Sequence, residues 1–180
     1  QKTAYEIHER LVGSEMCIRD RIGAHASTEI GELPDGVPQN LVPFITQTAI
    51  GLRKELAVFG NDYPTEDGTC IRDYIHVVDL AKAHVTALTR LLEKANETSF
   101  EVFNIGTGKG SSVLEVIESF ERVSHQKLNY KIVERREGDV ISAYADTTKA
   151  NTILGWKATS TLDEAMLSAW KWEQKIRKTN

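Results

Sequence analysis

The sequence predicts an α/β fold, on three observations. Apolar runs of strand length alternate with longer stretches whose apolar residues recur at three and four positions. Glycine, proline and short polar clusters sit at the junctions between them. Two of the helical stretches open on a capping-box pattern, Ser112 with Glu115 and Thr161 with Glu164. Strands and helices in alternation imply a sheet covered by helices. At 180 residues, 41% hydrophobic and 27% charged, the chain is long enough for one soluble domain with a sizeable core.

Residues 1–21 carry no sustained period, and the run 11–21 joins an orderly sequence abruptly at Ile22. They are left unassigned, as a segment foreign to the domain or disordered, and the organised chain is expected over residues 22–180. Residues 23–40 are rich in loop signals: Gly31, Pro34, Asp35-Gly36 and Pro38. Asn40 suits a helix N-cap and Pro43 the first turn behind it, with Leu41, Phe44, Ile45, Thr48, Ala49 and Leu52 as the apolar stripe. Strands follow at 56–59 and 72–78. Asp79 then caps a long helix that carries Leu80, Ala83, Ala87, Leu88 and Leu91. Residues 100–105 read as a strand and 106–110 as a glycine-rich turn, ahead of a helix with Val113, Val116, Ile117, Phe120 and Val123 on one face. Residues 128–134 alternate as a strand should. Asp146 suits the cap of a short helix ending near Gly155, and Leu162, Ala165, Met166, Ala169 and Trp170 form the inward face of the last helix. No internal repeat or second domain boundary interrupts this order.

Charge and composition exclude several classes of function. A net charge of −4 gives no general attraction for nucleic acid or an acidic membrane surface, so an anionic ligand has to be held by local arginines. No stretch approaches the roughly 18 apolar residues of a membrane span, and no charged-then-apolar leader is read. Cys17 and Cys70 are too few for a disulfide framework and lack metal-ligand spacing. A reducing, cytoplasmic setting is expected. His25, His76 and His84 do not pair as ligands, no Ser/His/Asp set assembles, and the three tryptophans read as packing residues.

Candidate chemistry concentrates in residues 57–83. An aromatic, Phe59, ends one strand and a guanidinium, Arg72, opens the next, a pairing that suits a flat base joined to phosphate. The loop at 106–110 follows a strand and precedes a helix, as a phosphate cradle does, but its glycines fall at the wrong offsets for either nucleotide-loop pattern. It is read as a tight turn. Arg72 beside Asp73 has the look of a surface ion pair; if Arg72 and Arg136 converge, the two guanidinium groups can hold a diphosphate.

Read together, Asn40-Leu-Val-Pro, Val58-Phe-Gly-Asn-Asp-Tyr-Pro-Thr-Glu-Asp-Gly-Thr, Ile71-Arg-Asp-Tyr-Ile-His-Val-Val-Asp-Leu-Ala and Arg135-Arg-Glu-Gly-Asp resemble the carboxy-terminal half of the UDP-glucose 4-epimerase family, within the extended short-chain dehydrogenases/reductases. The resemblance covers about residues 22–175. It implies a truncated extended short-chain dehydrogenase/reductase fold: the substrate-binding half, lacking most of the Rossmann cofactor domain. Members interconvert UDP-glucose and UDP-galactose through a 4-keto sugar, bound NAD taking the hydride and returning it to the other face. By position, Asn40 and Leu41 are similar to the segment at the sugar diphosphate. Ala57, Val58 and Phe59 correspond to the uracil-binding strand, Arg72 and Arg136 to the diphosphate arginines, and Asp139 to the residue at the ribose. Ala143 stands where the family's size gate faces the sugar's 2-substituent. Its small side chain implies acceptance of N-acetylated UDP-hexosamines as well.

The family's Gly-x-x-Gly-x-x-Gly cofactor loop and its catalytic Tyr-x-x-x-Lys are absent from this sequence, so the chain is expected to supply the UDP-sugar site, to have neither catalytic nor cofactor-binding residues, and to be inactive alone. The complete enzyme is expected to need NAD and to form a homodimer, with no nucleic acid or membrane partner. The alternatives are another nucleotide-sugar dehydratase or decarboxylase of the superfamily, or a non-catalytic UDP-sugar-binding module. A half-domain should also expose the face that packs on the cofactor domain.

Overall fold

A computed structural model describes residues 20–178; most of the unassigned segment 1–21 lies outside them. Arg21 and Ile22 form the first short strand, β1, pairing in parallel with β4 (Ile75–His76). Helix α1 (Leu41–Ala49) begins at Asn40, as the sequence suggests, although the Asn40 side chain makes no capping hydrogen bond and donates instead to Glu32 at 2.8 Å. The helix stops at Ala49, and Leu52 lies beyond it, exposed.

Strand β2 (Leu56–Phe59) has the expected bounds. It pairs in parallel with β6 (Tyr130–Val133), Leu56 opposite Tyr130 and Phe59 opposite Val133. Alternation sorts β2 into a buried pair, Leu56 and Val58, and an exposed pair, Ala57 and Phe59. The expected strand over 72–78 is broken in two. Ile71–Arg72 (β3) lies between β5 (Ser111–Ser112), antiparallel to it, and β7 (Ser142–Ala143), parallel to it. β4 belongs to a separate pair with β1.

The break has a local cause in Asp73. Its buried carboxylate accepts from the Thr107 N–H and hydroxyl at 2.8 and 2.6 Å, and from the N–H groups of Gly108 and Ala145 at 3.2 and 3.1 Å. A carboxylate with that many donors cannot also act as the surface partner of Arg72, so the expected ion pair does not form.

Helix α2 (Val77–Leu92) starts three residues earlier than expected, because His76 rather than Asp79 is its N-cap: His76 Nδ1 accepts from the Val78 N–H at 3.0 Å. Asp79 instead reaches out of the helix. Its carboxylate accepts from the Thr159 N–H at 2.9 Å, the Thr159 hydroxyl at 3.1 Å and the Ser160 N–H at 2.7 Å.

Both capping boxes form. Ser112 accepts from the Glu115 N–H and Glu115 accepts from the Ser112 N–H, opening α3 (Val113–Ser124). Thr161 and Glu164 exchange the same pair of bonds. Asp146 accepts from the Thr148 N–H at 3.0 Å ahead of α4 (Thr148–Thr152), and the final helix α5 runs over Leu162–Lys178. Residues 100–105 have no ladder among the described residues, and their expected strand is not formed.

The main core lies where α1, α3 and α5 meet β2. Ile45, Val58, Val116, Ile117, Phe120 and Met166 are its buried centre, with the Phe120 ring edge-on to Trp170 at 5.6 Å. A smaller cluster joins Ile75, Leu80, Ala83, Ala150, Leu154 and Trp156 beneath α2.

Candidate UDP-sugar-binding patch

The stretch after β2 is shaped by polar locks within its own loop. The Asp67 carboxylate accepts from the N–H and hydroxyl of Thr69, each at 2.8 Å, and from the Ser112 hydroxyl. The fully buried Thr69 hydroxyl accepts in turn from the Val113 N–H at 3.1 Å and the Leu114 N–H at 3.4 Å, so this loop helps to cap α3. Gly68 permits the fold-back: its φ is +79°, and a Cβ there would run into the Asn61 carbonyl. The loop is thereby anchored, and β3 leaves it in a defined direction with Arg72 on it.

Convergence of the two arginines, which the sequence leaves open, is present. Arg136 Nη2 lies 2.8 Å and Arg72 Nη2 3.7 Å from the same oxygen, Asp139 Oδ1. The hydrogen bond to Asp139 raises the Arg136 pKa further, so that guanidinium carries its charge at any physiological pH. Arg72 is aimed by its other amino group, which donates to the carbonyls of Ile71 at 2.7 Å and Val140 at 2.9 Å. Arg136 also stands over the Phe59 ring, 5.3 Å from its centroid. Ala143 joins the same neighbourhood as the strand partner of Arg72, exposed on β7.

Phe59, Arg136, Asp139, Arg72 and Ala143 therefore form one continuous patch. Ala57 is exposed two residues before Phe59, on the same side of β2. Val58 points into the core, and only its backbone can face a ligand. Asn40 and Leu41 sit at the start of α1, Asn40 bonded to Glu32 and Leu41 against the main core.

Two features escaped the sequence. Asp73 looked like half of a surface pair, and only the fold brings residues 107, 108 and 145 to it. Arg135, next to Arg136, turns the other way: it lies over the Tyr63 ring at 4.1 Å and pairs with Asp62 at 2.6 Å. Adjacent arginines in an extended segment, facing opposite sides, were the available signal.

The loop at 106–110, which the sequence marks as a tight turn and not a phosphate cradle, is occupied by internal contacts. Its Thr107 and Gly108 N–H groups are held by Asp73, and the Lys109 N–H by the Thr107 hydroxyl at 3.0 Å. A Cβ on Gly106 would strike the Asp73 carboxylate, so the glycine serves this internal contact. This loop does not fit a dinucleotide phosphate. Among the described residues, no cluster of histidine, cysteine, aspartate or glutamate could hold a metal ion either.

Comparison with known proteins gives the class of this α/β chain. The chain belongs to the family described as GDP-mannose 4,6 dehydratase, which matches residues 9–168. Within that breadth its similarity is to UDP-glucose 4-epimerases. It is 51% identical over 152 residues to the enzyme of that name from Drosophila melanogaster, covering 84% of this chain and 43% of the relative. A UDP-glucose 4-epimerase from Stenotrophomonas maltophila, solved with NAD and formylated UDP-arabinopyranose, superposes with a TM-score of 0.86 at 46% identity, over 89% of this chain and 47% of that one. One from Bifidobacterium longum, solved with NAD+ and UDP, gives 0.83 at 44% identity, with the same coverage.

The chain thus spans under half the length of the relatives it matches, and corresponds to their carboxy-terminal portion. Its fold is that portion of an extended short-chain dehydrogenase/reductase.

Proposed function

We propose that this chain is the UDP-sugar-binding portion of an NAD-dependent UDP-glucose 4-epimerase, which interconverts UDP-glucose and UDP-galactose. The observation that carries the reading is the sharing of Asp139 by Arg72 and Arg136 beside the Phe59 ring. Two guanidinium groups held by one carboxylate keep donors for a diphosphate, and the aromatic face next to them suits a pyrimidine. Stacking of a base on an aromatic contributes roughly 1–3 kcal/mol. Identity near 50% to UDP-glucose 4-epimerases favours an epimerase over the dehydratase or decarboxylase alternative.

In this reading Phe59 receives uracil, with the backbone of Ala57 and Val58 along its edge. Arg72 and Arg136 clamp the diphosphate, Asp139 lies near the ribose, and Asn40 and Leu41 line the diphosphate's far side. When bound, NAD supplies reversible hydride transfer at the sugar; the groups that hold it belong to sequence outside this chain. The chain's own contribution is to bind and orient the UDP-sugar. The working protein is a cytoplasmic homodimer, independent of nucleic acid and membranes.

Calorimetric titration with UDP tests the binding role: Arg72→Ala should weaken affinity by about tenfold or more, from the loss of roughly 1.5–3 kcal/mol of charged hydrogen bonding. Unchanged affinity would remove Arg72 from the site. Incubated with UDP-galactose and NAD, the 180-residue chain should form no UDP-glucose; turnover would overturn the division of labour. Ala143 leaves room beside the sugar, so the full-length enzyme should accept N-acetylated UDP-hexosamines and Ala143→Tyr should lose them selectively. Equal use by parent and variant would refute the gate.

A further inference from the structure

We infer that Arg135 is a positioning residue: its clasp on Tyr63 and Asp62 holds Arg136 in place for the diphosphate. This rests on the UDP-sugar reading above. The turn that carries Arg136 and Asp139 leaves β6 with no further ladder beyond Val133, so something else must fix it against the end of β2. Arg135 does so with its whole side chain. Its guanidinium carbon lies over the Tyr63 ring, 4.1 Å from the centroid, its Nε donates to Asp62 Oδ1 at 2.6 Å, and its Nη2 donates to the Asp62 carbonyl. Together these contacts join the segment after β6 to the segment after β2.

The backbone is built to admit this clasp. Gly60 takes a φ of +80°, and its N–H continues the pairing to the Val133 carbonyl at 2.8 Å. A Cβ at Gly60 would come within 2.7 Å of the Tyr63 ring and 2.8 Å of Arg135 Cγ, so glycine is what lets the two side chains meet over it. The Tyr63 ring is buried, which makes it a fixed platform. Asp62 feels the same contact: its hydrogen bond from Arg135 holds the carboxyl below its usual range.

The geometry then divides labour between adjacent arginines. Arg135 faces Tyr63 and Asp62, and Arg136 faces Phe59 and Asp139. With the backbone pinned at 135, the guanidinium at 136 meets a diphosphate without first ordering its turn, and less affinity is lost to that ordering. Lysine cannot replace Arg135, because the clasp uses a planar face and two separate donors at once.

A double-mutant cycle read by UDP calorimetry on the full chain tests this. Arg135→Ala should weaken UDP binding about fivefold, the order expected from an exposed cation–π contact and ion pair together. In an Arg136→Ala background the same change should have almost no effect, because the residue it positions is gone. Arg135→Lys should behave as Arg135→Ala does. Tyr63→Leu, which keeps a buried apolar side chain, should also weaken binding only while Arg136 is present. Unaltered affinity in Arg135→Ala, or an equal loss with and without Arg136, would overturn the positioning role. If the parent chain binds no UDP, the UDP-sugar reading itself fails and takes this inference with it, an outcome distinct from a parent that binds and an Arg135→Ala variant that binds equally well.

Discussion

The two apolar clusters of this molecule are finished to different degrees. Around α3 and α5 every large inward side chain is covered: Phe120, Ile117 and Met166 are fully buried, and three helices and the β2–β6 pair close over them. Around α2 the described residues cover only one side. Leu80 and Ala83 face the small cluster with Trp156, but Val85, Leu88, Leu91 and Leu92 stand on the outside, Leu92 73% exposed. Phe100 and Val102 are each over half exposed in the adjoining segment, where the expected strand is not formed. A helix with apolar residues on two faces belongs between two layers, and the described residues supply one layer. The chain spans under half the length of its relatives, and we propose that the remainder supplies the second layer. The β2–β6 pair and the arginine patch attach to the finished side.

The largest test of that contrast is the removal of a finished-side ring. Phe120→Ala leaves a cavity against Trp170 and should lower unfolding free energy by about 3–5 kcal/mol in chemical denaturation. A loss below about 1 kcal/mol would mean that the α3–α5 interface repacks freely and is no better determined than the outside of α2.

The same contrast explains what could be read from the sequence. Helices α1, α3 and α5 and strand β2 were legible because their signals are local: a period, a capping pair, an alternation completed within a dozen residues. The α2 start was misread because Asp79 is the better cap by residue type, whereas His76 is the cap in place and Asp79 bonds Thr159 and Ser160. No local rule carries that information. Residues 100–105 alternate well enough for a strand, but a strand needs a neighbour, and the described residues offer none. For the site, residue type and placement singled out Phe59, Arg72 and Arg136, and the resemblance added Asp139, each as a separate residue. Their meeting depends on the pairing of β3 with β7 and on the turn after β6, contacts between distant parts of the chain. The Arg135 clasp was invisible for the same reason.

Asp79 is the joint between the two regions, and its titration gives the intermediate effect. Burial raises its pKa, but the N–H groups of Ser160 and Thr159 outweigh that and hold it below the ordinary aspartate value of 3.8. A carboxyl depressed in the folded state stabilises the fold above its unfolded pKa, and that contribution is lost as pH falls through the folded value. The parent should therefore lose stability below about pH 4 more steeply than Asp79→Asn. At neutral pH the variant should be less stable by about 1–3 kcal/mol, because an amide leaves the Thr159 and Ser160 donors poorly paired. Hydrogen exchange should locate the loss in α2 and leave α3 and α5 protected. An even loss across both regions would show that the joint holds the whole fold and that the two regions are one cooperative unit.

The smallest expected effect is on the unfinished face itself. Leu91 lies over half exposed on α2, so Leu91→Gln removes little buried area and keeps a good helix former. Its unfolding free energy should stay within about 0.5 kcal/mol of the parent. What should change is association: an apolar patch exposed to water drives self-contact, and the variant should show less concentration-dependent sedimentation than the parent. This pairing of outcomes separates two meanings of an exposed leucine. A side chain that contributes to folding within this chain would lower stability when replaced, whereas one reserved for a missing layer would alter only what the chain sticks to. A drop above about 1.5 kcal/mol with association unchanged would place Leu91 inside the fold of this chain and remove the argument that α2 awaits a partner.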